Sequence, residues 1–176
     1  MKAADLKRLE AIAKGELPMT KVALDGLSNA SEIRRLLNAE LEKHIRAKES
    51  MADFVKRIQR VGKFQAAKAL AIAQTEKTRA VNGGRYAAAI DEYLPQYEKA
   101  KKNHRKRPAK PRFQWVHTNA AKEPRRHHID ISGAVREIGE EFLPGVLYPG
   151  DPNAPARETI HCHCYIRRYG RRSKAL

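Results

Sequence analysis

Apolar positions recur at helical spacing through the first half of the chain. Leu6, Leu9 and Ile12 lie three apart over residues 3–14, and Gly15 and Pro18 end that pattern. Residues 16–28 read as a loop. Asn29, with Glu32 three residues on, has the form of a helix N-cap with its partner carboxylate. Ile33, Leu36, Leu37, Leu41 and Ile45 then form one apolar stripe. Ser50 and Asp53 have the form of a second start, followed by Met51, Phe54, Val55, Ile58 and Val61 at the same period. After Gly62 the run from Phe64 to Asn82 is alanine-rich and strongly helix-forming. Gly83-Gly84 is expected to end it. A further helix over roughly 85–101 carries Tyr86, Ile90, Tyr93 and Leu94, with Pro95 as a kink or stop.

The second half changes period. Phe113, Trp115 and His117 alternate with Gln114, Val116 and Thr118, which predicts a strand. His128 to Ser132 alternate in the same way, and Thr159 to Ile166 read as a last strand. Pro144-Gly145 and Pro149-Gly150-Asp151-Pro152 are turn chemistry. The predicted fold is therefore α+β: an elongated helical N-terminal region, then a small C-terminal α+β unit with a short β-sheet. The expected division is a helical region over 1–62, a compact unit over 63–166 and a basic tail over 167–176.

Charge sharpens this picture. The 176 residues hold 36 Lys+Arg against 20 Asp+Glu, a formal net charge of +16. Most of it sits in two segments. The linker over 101–112 carries Lys101, Lys102, Arg105, Lys106, Arg107, Lys110 and Arg112 without an acid. The C-terminal end carries Arg167, Arg168, Arg171, Arg172 and Lys174, again without an acid. Like-charged blocks of this kind contact a polyanion, most simply nucleic acid, or serve as solvated arms. No stretch approaches the 18 apolar residues of a membrane span, and the start has no apolar run of a secretory signal. Two cysteines exclude a disulfide-rich scaffold.

The densest chemistry is His161-Cys162-His163-Cys164. On an extended chain Cys162 and Cys164 share one face, so both thiolates can reach one tetrahedral metal such as zinc. The remaining ligands are sought among His117, His127, His128, His163 and Asp151. Cys162, Cys164, His128 and His163 form the candidate zinc set. Two buried thiols acting as small apolar residues, or a disulfide or redox pair, are the alternatives. Arg125-Arg126-His127-His128 is an anion clamp with acid/base character, or a set of turn-holding side chains. Glu76 and Arg79, three apart on the alanine-rich helix, read first as a solvated surface pair. Glu76 reaching Arg125 or Arg126 is the second option. No phosphate-binding glycine loop and no nucleophile elbow is present.

Taken in order, Thr75-Glu76, Asn82, Trp115, Arg125-x-x-His128, Gly133, Phe142, Tyr148-Pro149-Gly150-Asp151-Pro152 and Glu158-x-Ile160-x-Cys162-x-Cys164 resemble the phage Mu F-like head morphogenesis domain over about residues 65–166. The chain departs from that pattern at Gln74, Asn119, Ser132 and His163. The resemblance implies a low-copy, non-enzymatic protein of the capsid interior in a tailed phage or prophage. Its expected partners are the portal, packaged double-stranded DNA bound without sequence preference, and the major capsid protein or further copies of itself. Its expected places are the virion and, during assembly, the host cytoplasm. Two other classes remain. One is a phage-delivered nuclease or toxin-like enzyme using His128, Arg125 and Glu76. The other is a basic DNA-binding regulator, for which neither helix-turn-helix nor zinc-finger spacing is visible.

Overall fold

A computed structural model of the chain describes residues 30–120 and 123–170. The expected helix over 3–14, the loop over 16–28, the Asn29 cap, Arg171 and Arg172 lie outside the described residues. Three helices come first: α1 (Ala30–Ala47), α2 (Met51–Gly62) and α3 (Ala66–Lys102). Then follow β1 (Arg112–Val116), the short α4 (Arg126–Asp130), β2 (Val135–Glu137), the short α5 (Ala156–Thr159) and β3 (Tyr165–Tyr169). The architecture is α+β: long helices, then a three-stranded antiparallel sheet of order β2-β1-β3. No described helix is long and apolar enough to cross a membrane.

Local chemistry places α1 and α2. Ser50 caps α2, its side chain accepting from the Asp53 amide. Phe54 and Ile58 of α2 pack with Ile33, Leu37 and Leu41 of α1 and with Ala69, Ile72 and Ala73 of α3. The α1 stripe ends differently from its prediction. Ile45 is half exposed, and His44 takes the inward position, stacked on Phe54 with ring centroids 4.4 Å apart. Position 44 follows 37 and 41 along the buried face, whereas 45 has turned off it. Arg57 ties this corner together by pairing with both Glu40 and Glu49.

The largest difference from the sequence reading is α3, whose 37 residues run unbroken through Gly83-Gly84 and Pro95. At 1.5 Å per residue it is about 55 Å long. Helix propensity is a weak constraint beside tertiary burial. Here Tyr86, Ala89, Ile90, Tyr93 and Tyr97 bury the helix beyond the glycines. The buried stripe of the first half, Ala69-Ile72-Ala73, is rotated about a third of a turn from that of the second half. One helix therefore serves two cores.

The second core is aromatic. Phe113 and Trp115 of β1 and Ile166 of β3 face Tyr86, Tyr148 and Phe142. Tyr86 lies 5.3 Å from Phe113 and 5.1 Å from Tyr148, centroid to centroid. Trp115 is fully buried and anchors the sheet in this core. The outer edge of β3 is covered by α3. The Ile166 amide donates to Asn82 Oδ1 and its carbonyl accepts from Arg85, so this edge is not open to another strand.

Two predicted strands fall short. Residues 128–132 alternate, yet α4 occupies 126–130. Five alternating residues do not separate a strand from one helical turn, and the helix turns His128 inward while leaving Ile129 40% exposed. Residues 159–166 are not a continuous strand either. Thr159 closes α5, His161 adopts a left-handed φ of 52°, and pairing begins only at Tyr165. Arg167 and Arg168 therefore belong to β3, paired with Gln114 and Phe113, rather than to a tail.

Candidate metal centre

Three separate pieces of chain meet on α3. Helix α4 carries His128, the turn after α5 carries Cys162 and Cys164, β1 supplies Trp115, and α3 supplies the floor. Arg125 precedes α4 and donates from its guanidinium to the Ile160 carbonyl at 2.6 Å, clamping α4 to the cysteine loop. Gly133, at φ 91°, turns the chain back after α4. Its amide donates to the Trp115 carbonyl, and this sets the start of β2 against β1.

The floor is a polar ladder on α3. Thr78 donates to the Cys162 carbonyl at 2.7 Å, and Thr75 accepts from the His161 amide at 3.2 Å. Asn82 donates to the carbonyls of Thr78, Pro149 and Cys164 and accepts from Ile166. The Tyr148-Pro149-Gly150-Asp151 turn packs onto the same helix. Asp151 is fully buried and accepts from the Leu147 and Asn153 amides, so it serves the turn rather than a metal. Sequence reasoning gave Asn82 no role of its own. The available signal was the polar stripe at 75, 78 and 82 on an alanine-rich helix, continuing to Tyr86.

At the centre, His128 Nδ1 lies 3.7 Å from Cys162 Sγ and 3.7 Å from Cys164 Sγ. All three residues are buried. For metal bonds of about 2.3 Å to sulfur and 2.0 Å to nitrogen, tetrahedral geometry sets the S···N edge at about 3.5 Å. The observed spacing is within about 0.2 Å of that value, so the trio can hold a metal ion. Its members are brought together from positions 34 and 36 residues apart. The expectation that both cysteines share one face holds, although the strand starts after them.

The surroundings suit a metal as well. His128 Nε2 lies 3.0 Å from Glu158 Oε2, which leaves Nδ1 directed at the sulfurs. This is the carboxylate–histidine arrangement that orients metal-bound imidazoles. Burial opposes ionisation of Glu158, but hydrogen bonds from His127 and His128 outweigh it and hold the carboxyl below its ordinary range. Burial likewise opposes charge on His128, and the contacts with Cys162 and Glu158 reverse that into a net rise. The Cys164 thiol lowers the Cys162 thiol by hydrogen bonding to its charged form, with His128 acting in the same direction. Cys164 is pushed up by Cys162 and by burial, while the Trp115 indole and the Thr118 amide favour its charged form. The Trp115 Nε1–H is buried without a hydrogen-bond partner among the described residues. A thiolate at Cys164 would give that donor an acceptor.

Other predicted positions are placed elsewhere. His163 joins neither cluster of ligating side chains found among the described residues. The alternation that points Cys162 and Cys164 inward turns His163 away, so the four-residue set reduces to Cys162, Cys164 and His128. Glu76 does pair with Arg79, but as a buried group with 1% of its surface exposed, not a solvated one. A second cluster of His127, His128 and Glu158 borders an open cleft of about 470 Å³, flanked by Arg125 and Arg157. Lys101 and Lys102 end α3, and Arg105, Lys106 and Arg107 follow in the exposed linker. Lys110 pairs with Glu137, and Arg112 opens β1.

Among known proteins, the chain is similar to the uncharacterized protein YqbB of Bacillus subtilis (strain 168), with 38% identity over 65 residues. That match takes in 34% of this chain and 21% of YqbB, so the aligned part spans about a fifth of the relative's length. No family model and no solved structure matches the chain.

Proposed function

We propose that the chain is a minor head protein of a tailed phage or prophage. In this reading it is a non-enzymatic component of the capsid interior that contacts the portal and neutralises packaged double-stranded DNA. The observation that carries the reading is convergence. Thr75, Asn82, Trp115, Arg125, His128, Gly133, Pro149 to Asp151, Glu158, Cys162 and Cys164, the ordered set behind the resemblance, gather into one hydrogen-bonded unit on α3. These residues hold chain segments together through side-chain to backbone hydrogen bonds.

The same reading assigns a structural zinc to Cys162, Cys164 and His128. Two soft thiolates and an imidazole suit zinc over the hard oxygen-binding cations. The metal would tie α4 to the loop before β3, in a unit whose strands are only three to five residues long. The exposed linker over 101–112 supports the DNA contact. Lys102, Arg105 and Lys106 have no carboxylate partner among the described residues, and phosphate contact of this kind is salt-sensitive and sequence-tolerant.

Mass spectrometry of gradient-purified capsids, before and after DNA ejection, tests the reading. A few copies in full particles are expected, and absence from every particle would overturn it. Salt-dependent duplex binding should fall when Lys and Arg of 101–112 are replaced by Gln.

A further inference from the structure

The sheet presents one face to the core and one to solvent. Phe113, Trp115 and Ile166 point inward. By alternation, Arg112 and Gln114 of β1 and Tyr165, Arg167 and Tyr169 of β3 share the opposite face. Both basic blocks of the sequence thus deliver arginines to one surface, with Gln114 opposite Arg167 and Arg112 opposite Tyr169. Arg112, Arg167 and Tyr169 are exposed on this face, and Gln114 and Tyr165 are half-buried.

Its chemistry is specific. Arg112 lies over the Tyr169 ring at 5.4 Å, and Arg85 reaches round the edge of β3 to lie over Tyr165 at 5.7 Å. Arg167 is held by Gln114 at 2.8 Å. None of these three guanidinium groups is paired with a carboxylate among the described residues. Tyr169 is 46% exposed, a large aromatic surface left in water. Beside it a groove of about 590 Å³ is lined by Lys110, Arg112 and Arg168 together with Glu92, which pairs with Arg168, while Lys110 pairs with Glu137. Duplex DNA offers phosphates to such a surface but keeps its bases stacked inside, where the tyrosines reach nothing. Unpaired nucleotides offer both parts: phosphates for the arginines and base faces for the rings.

We propose that the open face of the β2-β1-β3 sheet binds single-stranded nucleic acid, with bases stacked on Tyr165 and Tyr169 and the backbone on Arg112 and Arg167. This deepens the nucleic-acid part of the reading above, adding a single-strand site to the duplex contact of the linker. The two fail separately: absence from capsids leaves this site standing, and loss of this site leaves the capsid role standing.

The test is fluorescence anisotropy with the full chain and labelled oligo(dT), oligo(U) and duplex DNA, each of about 20 nucleotides or base pairs. Tighter binding of either single strand than of duplex is expected, and the preference between oligo(dT) and oligo(U) names the ligand. Tyr169→Ala should weaken single-strand binding about five-fold or more while leaving duplex binding unchanged. Tyr169→Phe, which keeps the ring, should bind like the unaltered protein. Arg112→Gln with Arg167→Gln should weaken single-strand binding and flatten its salt dependence. Matched melting curves confirm that the variants fold, and the exposure of Tyr169 makes its substitution mild. Duplex bound as tightly as both single strands, or single-strand affinity unchanged in folded Tyr169→Ala, would overturn the proposal.

Discussion

Gly150 sits against the backbone of Arg79, so close that a methyl group on it would lie 2.8 Å from both the Arg79 Cα and its amide nitrogen. The Tyr148-Pro149-Gly150-Asp151 turn is thereby seated directly on α3. Its φ of 79° is also one that side chains rarely adopt. The seat holds the Pro149 carbonyl within reach of Asn82, which in turn fixes Cys164 and Ile166. A glycine in the turn is thus coupled through one asparagine to the cysteine loop.

Gly150→Ala should accordingly destabilise the protein by about 2 kcal/mol or more, from left-handed strain and the clash with α3. Gly84 is the contrast. It lies exposed in the interior of α3 with no atom within 4 Å of an added Cβ. Gly84→Ala should stabilise by about 0.5–1 kcal/mol through helix propensity alone. Paired urea titrations of the two variants read both signs in one experiment.

Asn82→Ala should cost about 3 kcal/mol. It strips three carbonyls and one amide of a partner inside a buried site, where each unsatisfied group is expensive. The loss should appear as a lower urea midpoint with a similar slope. An unchanged midpoint would mean that water replaces the amide.

Metal removal gives a third outcome. A strong chelator should lower the melting temperature of the protein and leave that of Cys162→Ser unaffected, because the variant has already lost a ligand. Glu158→Gln, which keeps the shape but weakens the hold on His128, should reduce zinc affinity about ten-fold or more in competition with a chromophoric chelator. Equal affinity in the variant would show that Glu158 does not orient the imidazole.

Acid should weaken the α1–α2 corner. Hydrogen bonding from Lys43, then from Arg57, holds Glu40 below its ordinary range against burial, and Arg57 does the same for Glu49. A carboxyl depressed in the folded state contributes stability that is complete above its ordinary pKa and lost as pH falls through the folded value. Arg57→Ala should therefore melt lower than the unaltered protein by a constant amount above about pH 5, and the gap should close below it. A gap independent of pH down to acid unfolding would count against the ion pairs.

The helical half was legible because burial there follows sequence period. Ser50 capped its helix as expected, and Ile33, Leu37, Leu41, Phe54 and Ile58 faced inward. The strand over 113–116 was legible for the same reason. Gly83-Gly84 misled because glycine weakens a helix by only about 1 kcal/mol each, less than the burial of Tyr86 and Ile90 returns. The short α4 misled because one turn of helix and five residues of strand carry the same alternation.

The sequence by itself determined the α+β class, the inward pair of cysteines, the tight turn at Gly150 and the basic character of two segments. Each of these is a local property: period, spacing, backbone freedom or charge. Only the tertiary structure decided that His128 rather than His163 joins the cysteines, that Asn82 ties three chain segments together, and that arginines from both basic segments share one sheet face. Those relations join residues 34 to 84 positions apart. They depend on how the sheet docks on one long helix, and no local pattern encodes that docking.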